Sequence, residues 1–374
     1  MHENHPVLNI LVSCGSYSWG GLEMISIETA LKLRESGNSI KIICSAGSRL
    51  EIEAAGRGIE TIRIFSKDMK IFSSIVKLKK YLNNSKVNVI HTNHSHDLWA
   101  ITPALRLSGS DAKLFLTKHM ASGVKKTDIF HRYLYKRVNG IFAISNYIKE
   151  SVLNTCPVPN ERVHHLPVGV DMKKFCKDNY NKNEIRKELG ITDGRMIIGI
   201  MGRMTPGKGH EEFLEAAKII NQTYEEKVFF LVVGNASFGE DEYEAKIKDY
   251  ARELNINNIL FTGFTDYAPK MLAAMDILAF PSHNESFGRV LLEAMALEIP
   301  AAASGNAGVL DIVTDNVTGI LFEPKNSGML AKALFRLIDS EELRINMGKS
   351  AKKRAEEVFS FDIITAKLFE YYGK

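Results

Sequence analysis

The chain has 374 residues, 45% of them hydrophobic and 25% charged, with only 4 Cys. That composition excludes a disordered tail, a collagen-like fibre and a small disulfide scaffold, and the length favours two domains at roughly 150 residues each. The net charge of +4 conceals an asymmetry, because residues 1–170 carry 22 basic and 13 acidic residues (net +9) and the remainder 26 and 31 (net −5).

A basic first half fits a polyanionic partner, membrane or nucleic acid, and equally a solvated surface with no partner. The start, MHENHPVLNILV, lacks the basic flank and long apolar core of a signal peptide. No run of 18 apolar residues is present, so no bilayer-spanning segment is expected. Cys14, Cys44, Cys156 and Cys176 form no close pair, and read as free thiols in a reducing, cytoplasmic setting.

Short apolar runs predict strands at 8–14, 39–45, 61–65, 87–93, 113–119 and 140–145, then at 196–202, 227–234, 258–264, 277–282, 299–304 and 319–324. Between them lie helical patterns such as GLEMISIETALKLRESG (21–37), with apolar residues at three- and four-residue spacing and Gly37 as its stop. Residues 331–359 read as one long amphipathic stripe. Alternating β and α with nearly continuous apolar strands predicts parallel sheets covered by helices on both faces. About six strands in each half predict an α/β chain of two doubly wound, Rossmann-like domains facing across a cleft, 1–170 and 171–359. The joint falls after HLPVGVD (165–171), where the pattern lapses into KKFCKDNYNKNE (173–184). In such sheets ligands bind outside the carboxyl ends of the strands, so the chemistry is sought there.

Gly20 and Gly21 open the helix after the first strand, where paired glycines let backbone amides approach an anion and also serve plain turn geometry. HTNHSHD (91–97) places His91, His94, His96 and Asp97 at a strand end, a set open to zinc, to acceptor contacts or to loop hydrogen bonds. GRMTPGKGH (202–210) nearly matches a P-loop, but Gly209 stands where Ser or Thr must bind Mg²⁺. An ATPase is thereby disfavoured, while Arg203 (a planar fork) and Lys208 (a compact charge) suit a diphosphate. In PSHNESFGRVLLEAMA (281–296), Glu285 lies in a loop, Ser286 is expected to cap the next helix, and Glu293 follows inside it. Eight residues place the two acids up to ~12 Å apart. Paired hydrolytic carboxylates are about 5–9.5 Å apart, so these acids suit one extended ligand.

These motifs, in order, resemble the family 4 retaining glycosyltransferases of GT-B fold. The resemblance rests on G-G-x-E at 20–23, His119 at a strand end, AIS at 143–145, GVD-x3-F at 169–175, GR-x4-KG at 202–209, GF at 263–264 and E-x-FG-x4-EAMA at 285–296. It implies that Arg203 and Lys208 bind the donor diphosphate with help from Gly20–Gly21, and that Glu293 holds the ribose. Glu285 with the Phe287–Gly288 amides would hold the transferred sugar, Gly263 and Phe264 would border the base, and His119 would face the sugar. Ser286 and Val290 complete the implied donor-binding set, and Glu285, His119, Arg203 and Lys208 the catalytic one. Residues 360–374 would pack back on the first domain. Val168 replaces the Asn of the family's N-G-V-D, a departure that concerns the interdomain segment.

The implied reaction transfers a sugar from a nucleoside diphosphate with retention, to a lipid-linked or polysaccharide acceptor of a cell envelope. No D-x-D triplet occurs, so no metal or other cofactor is expected, and same-face attack is favoured over a covalent Glu285 adduct. A nucleotide-sugar epimerase and a non-catalytic sugar-nucleotide or membrane-binding protein are the alternatives. Residues 67–86, with six Lys, and 118–139, with Lys118, Lys125, Lys126, Arg132, Lys136 and Arg137, interleave basic and apolar side chains. Such segments suit the cytoplasmic face of an anionic membrane, or else a solvated helix whose apolar side lies in the core. No recognised nucleic-acid-binding module accompanies them, and no nucleic-acid partner is expected.

Overall fold

Runs rich in Val and Ile form strands here because β-branched side chains crowd a helix at χ1 but pack well on a pleated surface. The computed structural model describes residues 7–67, 71–236 and 239–373. The chain divides into two units, Met1–Val168 with Phe361–Lys374, and Gly169–Ser360.

The first unit has a seven-stranded sheet of β1 (Asn9–Cys14), β2 (Ser39–Ser45), β3 (Glu60–Phe65), β4 (Val89–Thr92), β5 (Lys113–Lys118), β6 (Gly140–Ala143) and β7 (Val163–His165). Its order is β3-β2-β1-β4-β5-β6-β7, and every pairing is parallel. The seventh strand departs from the expected six. It consists of Val-His-His, three residues at the sheet edge with no apolar run to betray them. The helix Phe361–Gly373 packs on this unit, where Ile364, Leu368 and Tyr372 share a core with Ile27, Ala30 and Leu33 of the helix Gly21–Glu35. Its last turn is pinned by polar contacts as well: the Tyr372 hydroxyl lies 2.5 Å from His91 Nδ1, and Lys113 Nζ donates to the Tyr372 carbonyl at 3.0 Å.

The second unit has a six-stranded parallel sheet of β8 (Met196–Met201), β9 (Val228–Val233), β10 (Ile259–Gly263), β11 (Ile277–Phe280), β12 (Ala301–Ser304) and β13 (Ile320–Phe322), in the order β10-β9-β8-β11-β12-β13. Because β8 has β9 on one side and β11 on the other, the strand order reverses between β8 and β11, the switch point at which doubly wound sheets bind ligands. The amphipathic stripe is not one helix. It forms Ser327–Asp339, then Glu341–Arg354, then a π turn at Ala355–Phe359. The break falls at Ser340, whose extended backbone lets its side chain accept from the Leu343 N–H and start the second helix.

All four cysteines are free, Cys14, Cys44 and Cys156 being buried. Among the described residues no helix is long and apolar enough to cross a membrane.

Candidate functional site

The GR-x4-KG and Glu285–Glu293 segments follow β8 and β11, the two strands that flank the switch point of the second unit. Each leads into a helix whose N-cap is a glycine with no side-chain cap: Gly209 before His210–Tyr224, and Gly288 before Arg289–Ala296. Elsewhere Ser48, Asp128, Ser145, Asn181, Asn326 and Ser340 accept from first-turn amides through their side chains. At these two helices the N-cap residue offers no side-chain acceptor to the first-turn N–H groups, which stand at the positive end of each helix dipole.

Ser286 does not cap the second helix as expected from sequence. It lies two residues before the cap, in a stretch of irregular backbone that runs to Gly288. A left-handed turn at Gly288 closes that stretch, so a serine oxygen is not needed to start the helix.

The two loops are stitched together. The His283 N–H donates to the Gly207 carbonyl at 2.9 Å, and Lys208 Nζ donates to Glu285 Oε2 at 2.5 Å. Gly209 permits this approach, since its φ is +80° and a Cβ there would lie 2.3 Å from the Pro281 carbonyl oxygen. The structure thus joins two residues to which the resemblance gives separate ligand parts. Arg203 is exposed at the end of β8. Glu293 is buried, with Arg289 Nε donating to its Oε1 at 2.7 Å one helical turn away, while Val290 is half-buried. The Phe287 side chain is buried edge-on to Phe359 at 6.3 Å, which leaves its backbone as the available group. Gly263 and Phe264 stand at the end of β10, two strands from β8, with the Phe264 ring half exposed.

Two residues of this region escaped the sequence reading. Gly234, after β9, donates its N–H to the Gly263 carbonyl at 2.9 Å and runs against Gly202, so the ends of β8, β9 and β10 carry glycines in contact. Its only sequence signal is its place at the end of the apolar run VFFLVVG. His210, buried in the first turn after Gly209, has both ring nitrogens without a hydrogen-bond partner, and burial pushes its pKa down to about 4. A neutral His210 keeps positive charge at this loop with Arg203 and Lys208.

In the first unit, Gly20 is the uncapped N-cap of the helix Gly21–Glu35, and a Cβ at Gly21 would meet nothing within 4 Å. His119, just past β5, is buried, its Nε2 is 3.0 Å from Asn93 Oδ1, and burial with the neighbouring Lys118 charge pushes its pKa down to about 3. It is therefore a neutral imidazole whose Nε2 donates to the Asn93 oxygen.

The histidine cluster at 91–97 is spread over separate contacts. His91 sits between Tyr372 and Thr117 (2.5 and 2.6 Å), and His94 Nδ1 is 2.9 Å from Asp97 Oδ1. Among the described residues no group of three or more His, Cys, Asp or Glu side chains is arranged to hold a metal ion.

The basic segments also differ from a single charged face. Lys118 is buried and the Arg137 guanidinium donates to the Ala112 carbonyl at 2.7 Å, whereas Lys125, Arg132 and Lys136 are exposed. The apolar side chains interleaved with them do not all turn inward, since Val124, Ile129 and Phe130 are 72%, 76% and 64% exposed. In 67–86, residues 68–70 lie outside the described residues. The helix Ile71–Asn83 buries Ser74, Leu78 and Leu82 and exposes Ile71, Phe72 and Val76.

Two parallel, doubly wound sheets, the second with Lys208 and Glu285 joined between two glycine-capped helices at its switch point, are the architecture of a glycosyltransferase of the GT-B fold. Residues 19–174 match the family described as Glycosyltransferase Family 4 and residues 181–354 that described as Glycosyl transferases group 1; the chain belongs to the family 4 glycosyltransferases. It is 27% identical over 361 residues to the capsular polysaccharide biosynthesis glycosyltransferase CapM of Staphylococcus aureus, covering 91% of each chain. It is 26% identical to the UDP-Gal:alpha-D-GlcNAc-diphosphoundecaprenol alpha-1,3-galactosyltransferase of Escherichia coli, over 82% of this chain and 79% of the relative. A glycosyltransferase structure from Rickettsia africae superposes with a TM-score of 0.87 at 23% identity, covering 98% of each chain. HepE of Anabaena, solved with UDP and glucose, superposes at 0.85 and 21%, over 98% of this chain and all of that one.

Proposed function

We propose that this glycosyltransferase moves a sugar from a nucleoside-diphosphate donor to a lipid-linked acceptor in the assembly of a cell-envelope glycan, with retention and without a metal. The observation that carries the reading is the Lys208–Glu285 pair, held between two helices with glycine-capped termini at the switch point. Capsule synthesis by the Staphylococcus relative and a carrier-lipid acceptor in the Escherichia relative support the substrate class.

As the donor bond breaks, negative charge develops on the leaving diphosphate. Lys208, Arg203 and the first-turn amides of the helix at His210 are fixed donors for that charge, and they supply what a metal supplies elsewhere. Glu293 takes the ribose hydroxyls. Glu285, with the Phe287–Gly288 backbone and Ser286, takes the transferred sugar, and Val290, Gly263 and Phe264 line the remainder of the donor site. A carboxylate already engaged by an ammonium is a weak nucleophile, which favours Glu285 as a positioning group and same-face attack by the acceptor. In the first unit we assign Gly20 and Gly21 to the diphosphate and neutral His119 to the sugar as hydrogen-bonding partner.

Thermal stabilisation by a panel of nucleotide sugars tests the donor assignment, because a ligand at 100 times its Kd adds about 2.7 kcal/mol to stability. One nucleotide sugar is expected to raise the midpoint and then to be consumed with the α or β configuration of the donor kept. A panel that leaves the midpoint unmoved, or an inverted product, overturns the reading, and a trapped glycosyl–Glu285 adduct overturns same-face attack.

We also assign the exposed apolar side chains Val124, Ile129 and Phe130, with Lys125, Arg132 and Lys136 around them, to an anionic membrane surface. Apolar insertion and about 1 kcal/mol per basic residue add there. The chain is expected to sediment with phosphatidylglycerol vesicles at low salt, and Ile129→Ser/Phe130→Ser to reduce the bound fraction at least tenfold. Equal partition of the double variant and the parent removes this assignment.

A further inference from the structure

The carboxyl end of β5 holds a charge that the donor chemistry leaves unused. Lys118 closes the strand at 8% exposure, and its ammonium donates one hydrogen bond, to Ser95 Oγ at 3.1 Å. Among the described residues no carboxylate is ion-paired with it. The charged group that acts on it most strongly is another ammonium, that of Lys126, and together with burial this pushes the Lys118 pKa down to about 8.

Lys126 is not there by the accident of a loose side chain. Its N–H donates to the Thr155 carbonyl at 2.7 Å, at the end of the helix Asn146–Thr155, and its Nζ lies 3.5 Å from the hydroxyl of Tyr135, which is itself buried. At the same edge of the sheet, just past β4, the buried Asn93 amide nitrogen has no hydrogen-bond partner while its oxygen is used by His119. Lys118 and Asn93 thus stand at adjacent strand ends, the Lys126 ammonium acts on Lys118 from beside the end of the helix Asn146–Thr155, and among the described residues no carboxylate is ion-paired with either lysine.

A partly buried pair of like charges is unfavourable unless something of opposite charge completes it. A phosphate monoester brings a charge of about −1.5 to −2 and three acceptor oxygens, and a disubstituted diphosphate about −2 spread over four, either enough for two ammonium groups and a hydroxyl, whereas a carboxylate balances only one of them. We propose that Lys118 and Lys126 form a phosphate-binding site for the acceptor substrate, with Ser95 as the neighbouring hydroxyl. The inference rests on the glycosyltransferase reading above and names the anionic group by which the first unit selects its acceptor. The burial of Lys118 favours a single phosphate that enters the site over a flat lipid surface that cannot reach it.

Isothermal titration with methyl phosphate, which carries no nucleotide, tests the site. Lys118→Met removes the ammonium and keeps an unbranched side chain one atom shorter, and the half-buried Lys126→Met provides a second variant should the first fail to fold. Each is expected to weaken methyl phosphate binding at least tenfold, the loss of one charged hydrogen-bonding partner, while Lys208→Met, altered only in the second unit, retains that binding. Loss of binding in Lys208→Met with none in the other two overturns the proposal, as does a wild-type chain that takes up no methyl phosphate. Anionic vesicles that bind through Lys118 where methyl phosphate does not would also overturn it, in favour of a lipid surface.

Nucleotide-sugar stabilisation, measured in parallel, keeps the two readings apart. A wild type that no nucleotide sugar stabilises sinks the donor assignment, and the methyl phosphate result still decides this one. With donor present, a tenfold rise of the acceptor KM in Lys126→Met for a polyprenyl-diphosphate sugar identifies the carrier lipid as the source of the phosphate. The same rise for a soluble hexose 1-phosphate identifies the sugar phosphate.

Discussion

Lys208→Met is expected to lower the rate of sugar transfer by about 10²–10³-fold while leaving the fold intact. The side chain is partly exposed in the loop after β8 and takes no part in the core, so little packing is lost. What is lost is a fixed positive charge where the leaving diphosphate becomes more negative, an interaction stronger in the transition state than in the ground state. The loss should therefore fall on kcat more than on KM. It has a second component, because Lys208→Met leaves Glu285 half-buried without its ammonium partner. Glu285→Gln removes that charge as well, and the double variant should lose clearly less than the product of the two single losses. Steady-state kinetics on the four proteins checks this. A rise in KM at constant kcat, or strictly multiplicative losses, would falsify the assignment of Lys208 and Glu285 as one working unit.

Gly234→Ala should destabilise the second unit by about 3 kcal/mol or more, although the substitution adds a single methyl group. Gly234 has φ +128°, and a Cβ there would lie 1.9 Å from the Gly202 carbonyl oxygen. Neither backbone can withdraw cheaply: the Gly202 N–H donates to Val233 O at 3.0 Å, and the Gly234 N–H to Gly263 O at 2.9 Å. Gly207, in the neighbouring loop, provides the control. It also has positive φ, at +86°, but a Cβ would meet nothing within 4 Å, so Gly207→Ala should cost only about 1 kcal/mol. Urea unfolding of both variants measures the difference, and equal costs would show that contact between the strand ends does not govern stability here.

The contrast between these two glycines also marks how far the sequence alone could be read. Strands such as Lys113–Lys118 and Val228–Val233 were visible because a strand buried on both faces must be apolar along its length. β7 was not, since Val-His-His at an edge needs no such run. The motifs at 202–209 and 285–296 point to the ends of β8 and β11, because glycine, lysine and acid cluster there at strand-to-helix turns. Sequence could not show that Lys208 and Glu285 meet, since 77 residues separate them and only the parallel pairing of β8 with β11 brings their loops together. Ser286 misled because serine is a common helix cap, whereas the observed cap is a glycine in the left-handed region. By sequence Lys118 belongs to a basic segment suited to an anionic membrane or a solvated helix, and a lysine buried beside another is invisible to any count of charge.

The helix at 361–373 has a consequence for how the protein is made. Its Ile364, Leu368 and Tyr372 belong to the core of the first unit, yet they are translated only after all of Gly169–Ser360. Domains generally fold as units while the chain leaves the ribosome, amino-terminal ones first. Here the order is broken, because the second unit can complete its sheet while the first still lacks the residues that cover Ile27 and Leu33 and bond His91. The nascent first unit spends that interval with apolar surface uncovered. Ribosome-bound chains arrested between residues 330 and 360 should therefore be where chaperones engage this protein most.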